Sequence, residues 1–188
     1  MNLTTLEERI DKVVSEDMSG NTPGMSLLLT KGRDVLIRKA YGLANLETRE
    51  KITCENQFVI ASNTKQFTCA AIMILKEQGL LDYDEPIERF FPDFPDYRKY
   101  VTIRDMMTHV SGIQEYFEEN KWLNIPDSAT ADTKRMLEII KGFGGLTFKP
   151  RTQYSYCNSS YVMLGNIVEQ LSGMSFGEFL KKNIFQPL

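Results

Sequence analysis

The chain has 188 residues, of which 42% are hydrophobic, 11% aromatic and 25% charged, and its formal net charge is −3. That length suits one domain with a real core, or part of a larger one. The longest apolar runs are only a few residues and no basic stripe appears, which excludes a membrane span and argues against nucleic acid or an anionic membrane as partner.

The predicted elements begin with Thr5 and Glu8, spaced as a capping box, followed by Leu6, Ile10, Val13, Val14 and Met18 at helical intervals. They predict a helix over about residues 5–18. Met25–Thr30 and Val35–Tyr41 flank Lys31-Gly32-Arg33-Asp34 and read as a β-hairpin. After a polar connection, the apolar approach Phe58–Ala61 leads to Ser62. Phe67, Ala70, Ala71, Ile74 and Leu75 then mark a buried helix from about Thr64, with Gly79 where a C-terminal cap belongs. Pro92, Pro95 and Pro126 punctuate the middle, and Thr102 and Asp105 open a short helix over Ile103–Thr108. A further helix spans about Thr130–Lys141 and stops at Gly142. Tyr161, Leu164, Ile167, Val168 and Leu171 trace an amphipathic helix closed by Gly173, and Ser175 with Glu178 caps a last one. A two-stranded hairpin is marginal alone, so a helix-rich chain set against one hairpin is unbalanced, and further strands are expected beyond it.

Ser62-Asn63-Thr64-Lys65 places an alcohol and an amine three residues apart, on one face of a helix start. Burial and the positive end of the helix dipole disfavour an ammonium there, and a neutral amine can take the serine proton. The Ser62 backbone N–H is a candidate oxyanion-hole donor. Chance alone supplies about one S-x-x-K in a chain this long, and such a serine is by default a surface cap. Tyr156-Cys157-Asn158 adds a phenol and a carboxamide two residues apart in an extended segment, pointing the same way. A phenolate beside an ammonium would serve as general base, and such a pair titrates as a unit. Taken singly, Tyr156 reads as a half-buried strand aromatic and Asn158 as a helix N-cap.

Four segments in order resemble the class C β-lactamase branch of the serine β-lactamase and penicillin-binding protein superfamily. They are Pro23–Ser26 with Tyr41–Ala44, Phe58–Thr68 around the S-x-x-K, Thr102–Ile113, and Lys149–Asn158 with Tyr161–Gly165. The resemblance implies an α+β fold, an antiparallel sheet flanked by helices with an inserted helical lobe. It places residues 1–188 in a single incomplete domain, with residues 1–61 forming the N-terminal helix and first strands and 62–188 the nucleophile helix and lobe. It implies acylation of Ser62 by a β-lactam, a D-amino-acid peptide or a small ester, followed by hydrolysis. Lys65 and Tyr156 would share base duty, and Asn158 would orient Lys65 and the substrate amide. No metal or organic cofactor is implied.

The chain departs from that pattern at Arg151, where the family commonly has glycine, and at Cys157, where it commonly has serine. No Lys-Thr-Gly or His-x-Gly triplet follows Asn158. The sequence stops at Pro187-Leu188 where the family continues, so the C-terminal strands and one wall of the site are expected to be missing. A weakly active or inactive isolated chain follows, completed by a companion C-terminal segment or a strand-swapped homodimer. The alternative is a non-catalytic protein that binds a peptide or a partner strand along its open sheet edge.

Other motifs carry less. Gly173-Met174-Ser175-Phe176-Gly177 fits the G-x-S-x-G elbow, but a helix rather than a strand precedes it and no histidine follows. His109, the only histidine, reads as a hydrogen-bonded turn residue, and a Cys157–His109 pair has no further support. Cys54, Cys69 and Cys157 are odd in number and lack metal spacing, against a disulfide framework. No basic stretch followed by an apolar one opens the chain, and a cytoplasmic location is the expectation.

Overall fold

The computed structural model describes residues 3–18, 21–116 and 132–188. The chain divides into two compact units, residues 1–59 and 60–188.

The first unit holds α1 (Leu3–Asp17), β1 (Met25–Lys31) and β2 (Asp34–Tyr41). Helix α1 begins two residues ahead of Thr5, which therefore lies inside the helix and is not its cap. The strands pair antiparallel from Met25–Tyr41 to Lys31–Asp34, and a bulge after Leu29 leaves Leu36 without a partner. Charge ties α1 to β2. Lys39 Nζ reaches Glu7 at 2.6 Å and Asp11 at 2.8 Å, and the Tyr41 hydroxyl donates to Asp11 at 2.8 Å.

The second unit carries the hydrophobic core. A 3₁₀ turn (Ala61–Asn63) runs directly into α2 (Thr64–Glu77), and α3 (Ile103–Met107), α4 (Thr133–Gly142), α5 (Asn158–Ser172) and α6 (Phe176–Leu180) follow. Ala71, Ile72 and Leu75 of α2 are fully buried, as are Met163, Leu164, Ile167 and Val168 of α5. Both sets recur at i, i+1 and i+4, one stripe on each helix. The buried stripe of α2 centres on Ile72 rather than on Phe67 and Ile74. Phe67 instead meets Phe185 edge to face at 5.2 Å.

Capping follows the sequence closely in several places. Thr102 and Asp105 form the capping box of α3, and Gly173 ends α5 in the left-handed conformation at φ 66. Ser175 and Glu178 form the capping box of α6, so the G-x-S-x-G serine is an interhelical cap. Asp132 caps α4 at its start, while Thr130 and Pro126 lie outside the described residues.

The apolar approach Phe58–Ala61 does not place the nucleophile segment in the interior. Phe58, Val59 and Ile60 are exposed, Val59 at 95%, and Ser62 itself is exposed. The S-x-x-K turn sits at the rim of the core, because α2 turns its apolar stripe inward only from Thr68 onward.

Candidate active site

Ser62 is the middle residue of the Ala61–Asn63 turn. Ala61, just before it, is held at φ 45, a conformation that costs a residue with a Cβ about 1–2 kcal/mol. One turn on, Lys65 Nζ donates to Ser62 Oγ at 3.3 Å and to Asn158 Oδ1 at 2.6 Å. The Tyr156 hydroxyl donates to Ser62 Oγ at 2.5 Å. All four residues singled out in the sequence thus meet at one point. The Lys65 amine also lies over the rings of Tyr156 at 4.6 Å and Tyr161 at 5.2 Å.

Burial opposes ionisation of the Tyr156 phenol. Hydrogen bonding from Lys65 and Ser62, with the Lys65 charge, outweighs it and holds the phenol below the ordinary tyrosine range. Tyr161 is the opposite case, since burial pushes its phenol up. Its hydroxyl donates to the Met107 carbonyl at 2.8 Å and lies 3.2 Å from Cys69 Sγ. Because that proton is committed to Met107, the Cys69 thiol is the donor of the second contact. Tyr161 is therefore a fixed wall beside Lys65.

The segment bearing Tyr156 and Asn158 is laced onto residues 109–116. Thr147 N–H donates to Gly112 O at 2.8 Å, Arg151 N–H to Val110 O at 2.8 Å and Ser155 N–H to His109 O at 2.9 Å. Cys157 N–H donates to His109 Nδ1 at 3.0 Å, and Asn158 N–H donates to the Glu115 carboxylate. Gly112 must be glycine, because it sits at φ 74 and a Cβ there would lie 2.1 Å from the Phe148 carbonyl oxygen.

The two departures from the family pattern are accommodated. Arg151 keeps the left-handed turn at φ 67. Its guanidinium pairs with the buried Asp105 carboxylate at 3.3 Å and donates to Tyr100 O at 3.0 Å. Cys157, not Asn158, is the N-cap of α5, its Sγ accepting from Ser160 N–H at 3.4 Å. That places Asn158 at the first helical position, with its side chain free to meet Lys65.

A Cys157–His109 nucleophile pair does not form. Cys157 is 3% exposed and burial pushes its thiol up. His109 Nδ1 takes the Cys157 backbone N–H, not the thiol. His109, read from the sequence as a hydrogen-bonded turn residue, is one, and its bonds reach the site; Glu115 is the site residue that the sequence pattern passed over. Only the register between residues 109–116 and 153–158 shows that both hold the Tyr156–Asn158 segment in place. Among the described residues, no three His, Cys, Asp or Glu side chains gather as a metal site would need. An open cavity of about 320 Å³ borders Lys65 and Asn158, with Ala61, Thr64 and Tyr161 among its walls.

A family model described as Beta-lactamase matches residues 10–188. Penicillin-binding protein 4* of Bacillus subtilis (strain 168) is 34% identical over 165 residues, covering 86% of this chain and 36% of its own length. The octameric penicillin-binding protein homologue from Pyrococcus abyssi superposes with a TM-score of 0.79 at 31% identity, over 100% of this chain and 43% of that one. The D-amino acid amidase from Ochrobactrum anthropi SV3, complexed with D-phenylalanine, gives a TM-score of 0.83 at 25% identity, over 97% and 50%. The chain spans half or less of the length of these relatives. With the Beta-lactamase model matched from residue 10 to residue 188, the chain belongs to the β-lactamase family, with an α+β fold of the β-lactamase and transpeptidase type.

Proposed function

We propose that Ser62 forms an acyl-enzyme with a β-lactam, a D-amino-acid peptide or amide, or a small ester, which water then hydrolyses. The observation that carries this reading is the double approach to Ser62 Oγ, by the Tyr156 hydroxyl at 2.5 Å and the Lys65 amine at 3.3 Å. Oγ attacks the acyl carbon as its proton passes to the Tyr156–Lys65 pair. The leaving nitrogen or oxygen takes that proton as the acyl bond breaks, and a water repeats the sequence in reverse to free Ser62. Asn158 holds Lys65 at 2.6 Å and offers its amide N–H₂ to the substrate. Hydrogen bonds with Lys65 and Ser62 hold the phenol below the ordinary tyrosine range, which supports Tyr156 as a partner of Lys65 in taking the Ser62 proton.

Relatives that are penicillin-binding proteins and a D-amino acid amidase support an acyl donor built on a D-amino acid. These 188 residues contain no Lys-Thr-Gly or His-x-Gly triplet, the family's source of a second oxyanion donor. One missing donor costs about 3–4 kcal/mol of transition-state stabilisation. Acylation with weak turnover is accordingly the expected behaviour of the 188-residue polypeptide.

Intact mass after incubation with a penicillin or an active-ester probe tests the reading. Wild type gains the acyl mass and Ser62→Ala does not. No adduct, even with the remaining portion of a relative supplied in trans, would leave only peptide or partner binding.

A further inference from the structure

His109 grips the backbone on both sides of Tyr156. Its carbonyl accepts the Ser155 N–H at 2.9 Å and its Nδ1 accepts the Cys157 N–H at 3.0 Å. The imidazole is buried and lies against the Tyr156 ring, centroids 4.6 Å apart and planes within 27°. Tyr161 closes on it at 5.1 Å and Tyr154 edge-on at 5.8 Å. The residue is held at φ 60, so backbone strain is spent where both contacts can be made at once.

The chemistry of that arrangement is specific. A ring nitrogen that accepts an N–H must carry a lone pair, so the imidazole is neutral with its proton on Nε2. An imidazolium has no lone pair to offer. Protonation would set N–H against N–H at Cys157, the residue that joins Tyr156 to Asn158. It would also place a second positive charge near Lys65.

We propose that His109 is a positioning residue whose neutral imidazole fixes Tyr156 and Asn158 around Ser62, and whose protonation releases them and sets the acid limit of Ser62 acylation. The proposal deepens the acylation reading and rests on it only for its kinetic part. The titratable groups that face the ring are Lys65 from α2, Tyr154, Tyr156 and Cys157 from the approach segment, and Tyr161 from α5. Glu115 anchors the next residue along, at the Asn158 N–H. Burial, and then the Lys65 charge, hold the imidazole below its ordinary value of 6.5, which keeps the lone pair available at neutral pH.

Because His109 is the only histidine, its ring nitrogens can be followed by NMR in the ¹⁵N-labelled 188-residue chain without ambiguity. The expected result is a neutral ring protonated at Nε2 that titrates below 6.5, with the Cys157 amide signal moving in step. A proton on Nδ1, or a Cys157 amide indifferent to the titration, would overturn the positioning role.

Two variants carry the kinetic part, read as the rate of adduct formation against pH. His109→Asn keeps an acceptor, tolerates the left-handed backbone and cannot titrate, so it should lose the acid limb seen in wild type. His109→Phe keeps the ring but not the acceptor, and should acylate about 100-fold more slowly at every pH, with unchanged circular dichroism. An unaltered acid limb in His109→Asn, or a wild-type rate in His109→Phe, would refute the link to acylation. If wild type forms no adduct at all, the acyl-enzyme reading falls, while tautomer and amide still decide the positioning role.

Discussion

Tyr156 meets three groups that decide its chemistry: Ser62 Oγ at 2.5 Å, the Lys65 amine over its ring at 4.6 Å, and the His109 ring stacked on it at 4.6 Å. Removing the phenol in Tyr156→Phe should slow Ser62 acylation by about 10²–10⁴-fold, the usual span for a general base. Lys65→Ala should cost a similar factor. The double variant should be little worse than either single one, because groups that act as a unit are not additive; time-resolved intact mass checks all three. His109 adds a pH term to stability. Its folded value lies below the ordinary 6.5, so the unfolded chain binds the proton first as pH falls. Stability from this group is complete above about 6.5 and declines below it, through the folded value. Denaturant midpoints measured from pH 8 to pH 5 should fall across that window in wild type, and the portion due to the imidazole should vanish in His109→Asn.

Helix ends and turns dominate at the level of the element. The capping box of α3 satisfies both the Thr102 and the Asp105 backbone N–H, and Thr102→Ala should destabilise by about 1 kcal/mol, read from a denaturant midpoint. Arg151 offers a sharper comparison. Arg151→Gly and Arg151→Ala both remove the ion pair to Asp105, but only alanine retains the cost of φ 67. The glycine variant should therefore be the more stable of the two by about 1 kcal/mol. Gly112→Ala belongs to the same class with a larger effect. Its Cβ would meet the backbone oxygen of Phe148, which no side-chain rotation can relieve. Loss of the Tyr156–Asn158 register should accompany its loss of stability.

Across the whole molecule, order is unevenly distributed between the two units. Every residue of the buried core cluster lies in the second, and α2 and α5 supply its centre. Ile72→Ala should cost about 2–5 kcal/mol there, measured by chemical denaturation. The first unit rests on a two-stranded sheet, β1 with β2, stitched to α1 by half-exposed ion pairs that contribute little in water. Amides of β1 and β2 should consequently exchange hydrogen faster than those of Thr68–Leu75 and Met163–Val168, because local opening is easiest where few apolar contacts are lost. Hydrogen-exchange mass spectrometry separates the segments directly.

The sequence by itself determined what depends on neighbours along the chain. The hairpin, the run of helices, the Gly173 stop, the Thr102 and Ser175 caps, and the S-x-x-K and Y-x-N spacings are all local patterns, legible because periodicity and capping act within a few residues. Their order also sufficed for the family. Only the tertiary structure decided which stripe of α2 faces the core, that the nucleophile turn stands exposed, and that Cys157 rather than Asn158 caps α5. It alone brought Lys65 against Asn158 across 93 residues and Tyr156 against Ser62 across 94. The site roles of His109 and Glu115 became visible by the same route, since the bonds that hold Tyr156 and Asn158 run between backbones distant in sequence, where side-chain pattern carries no trace of register.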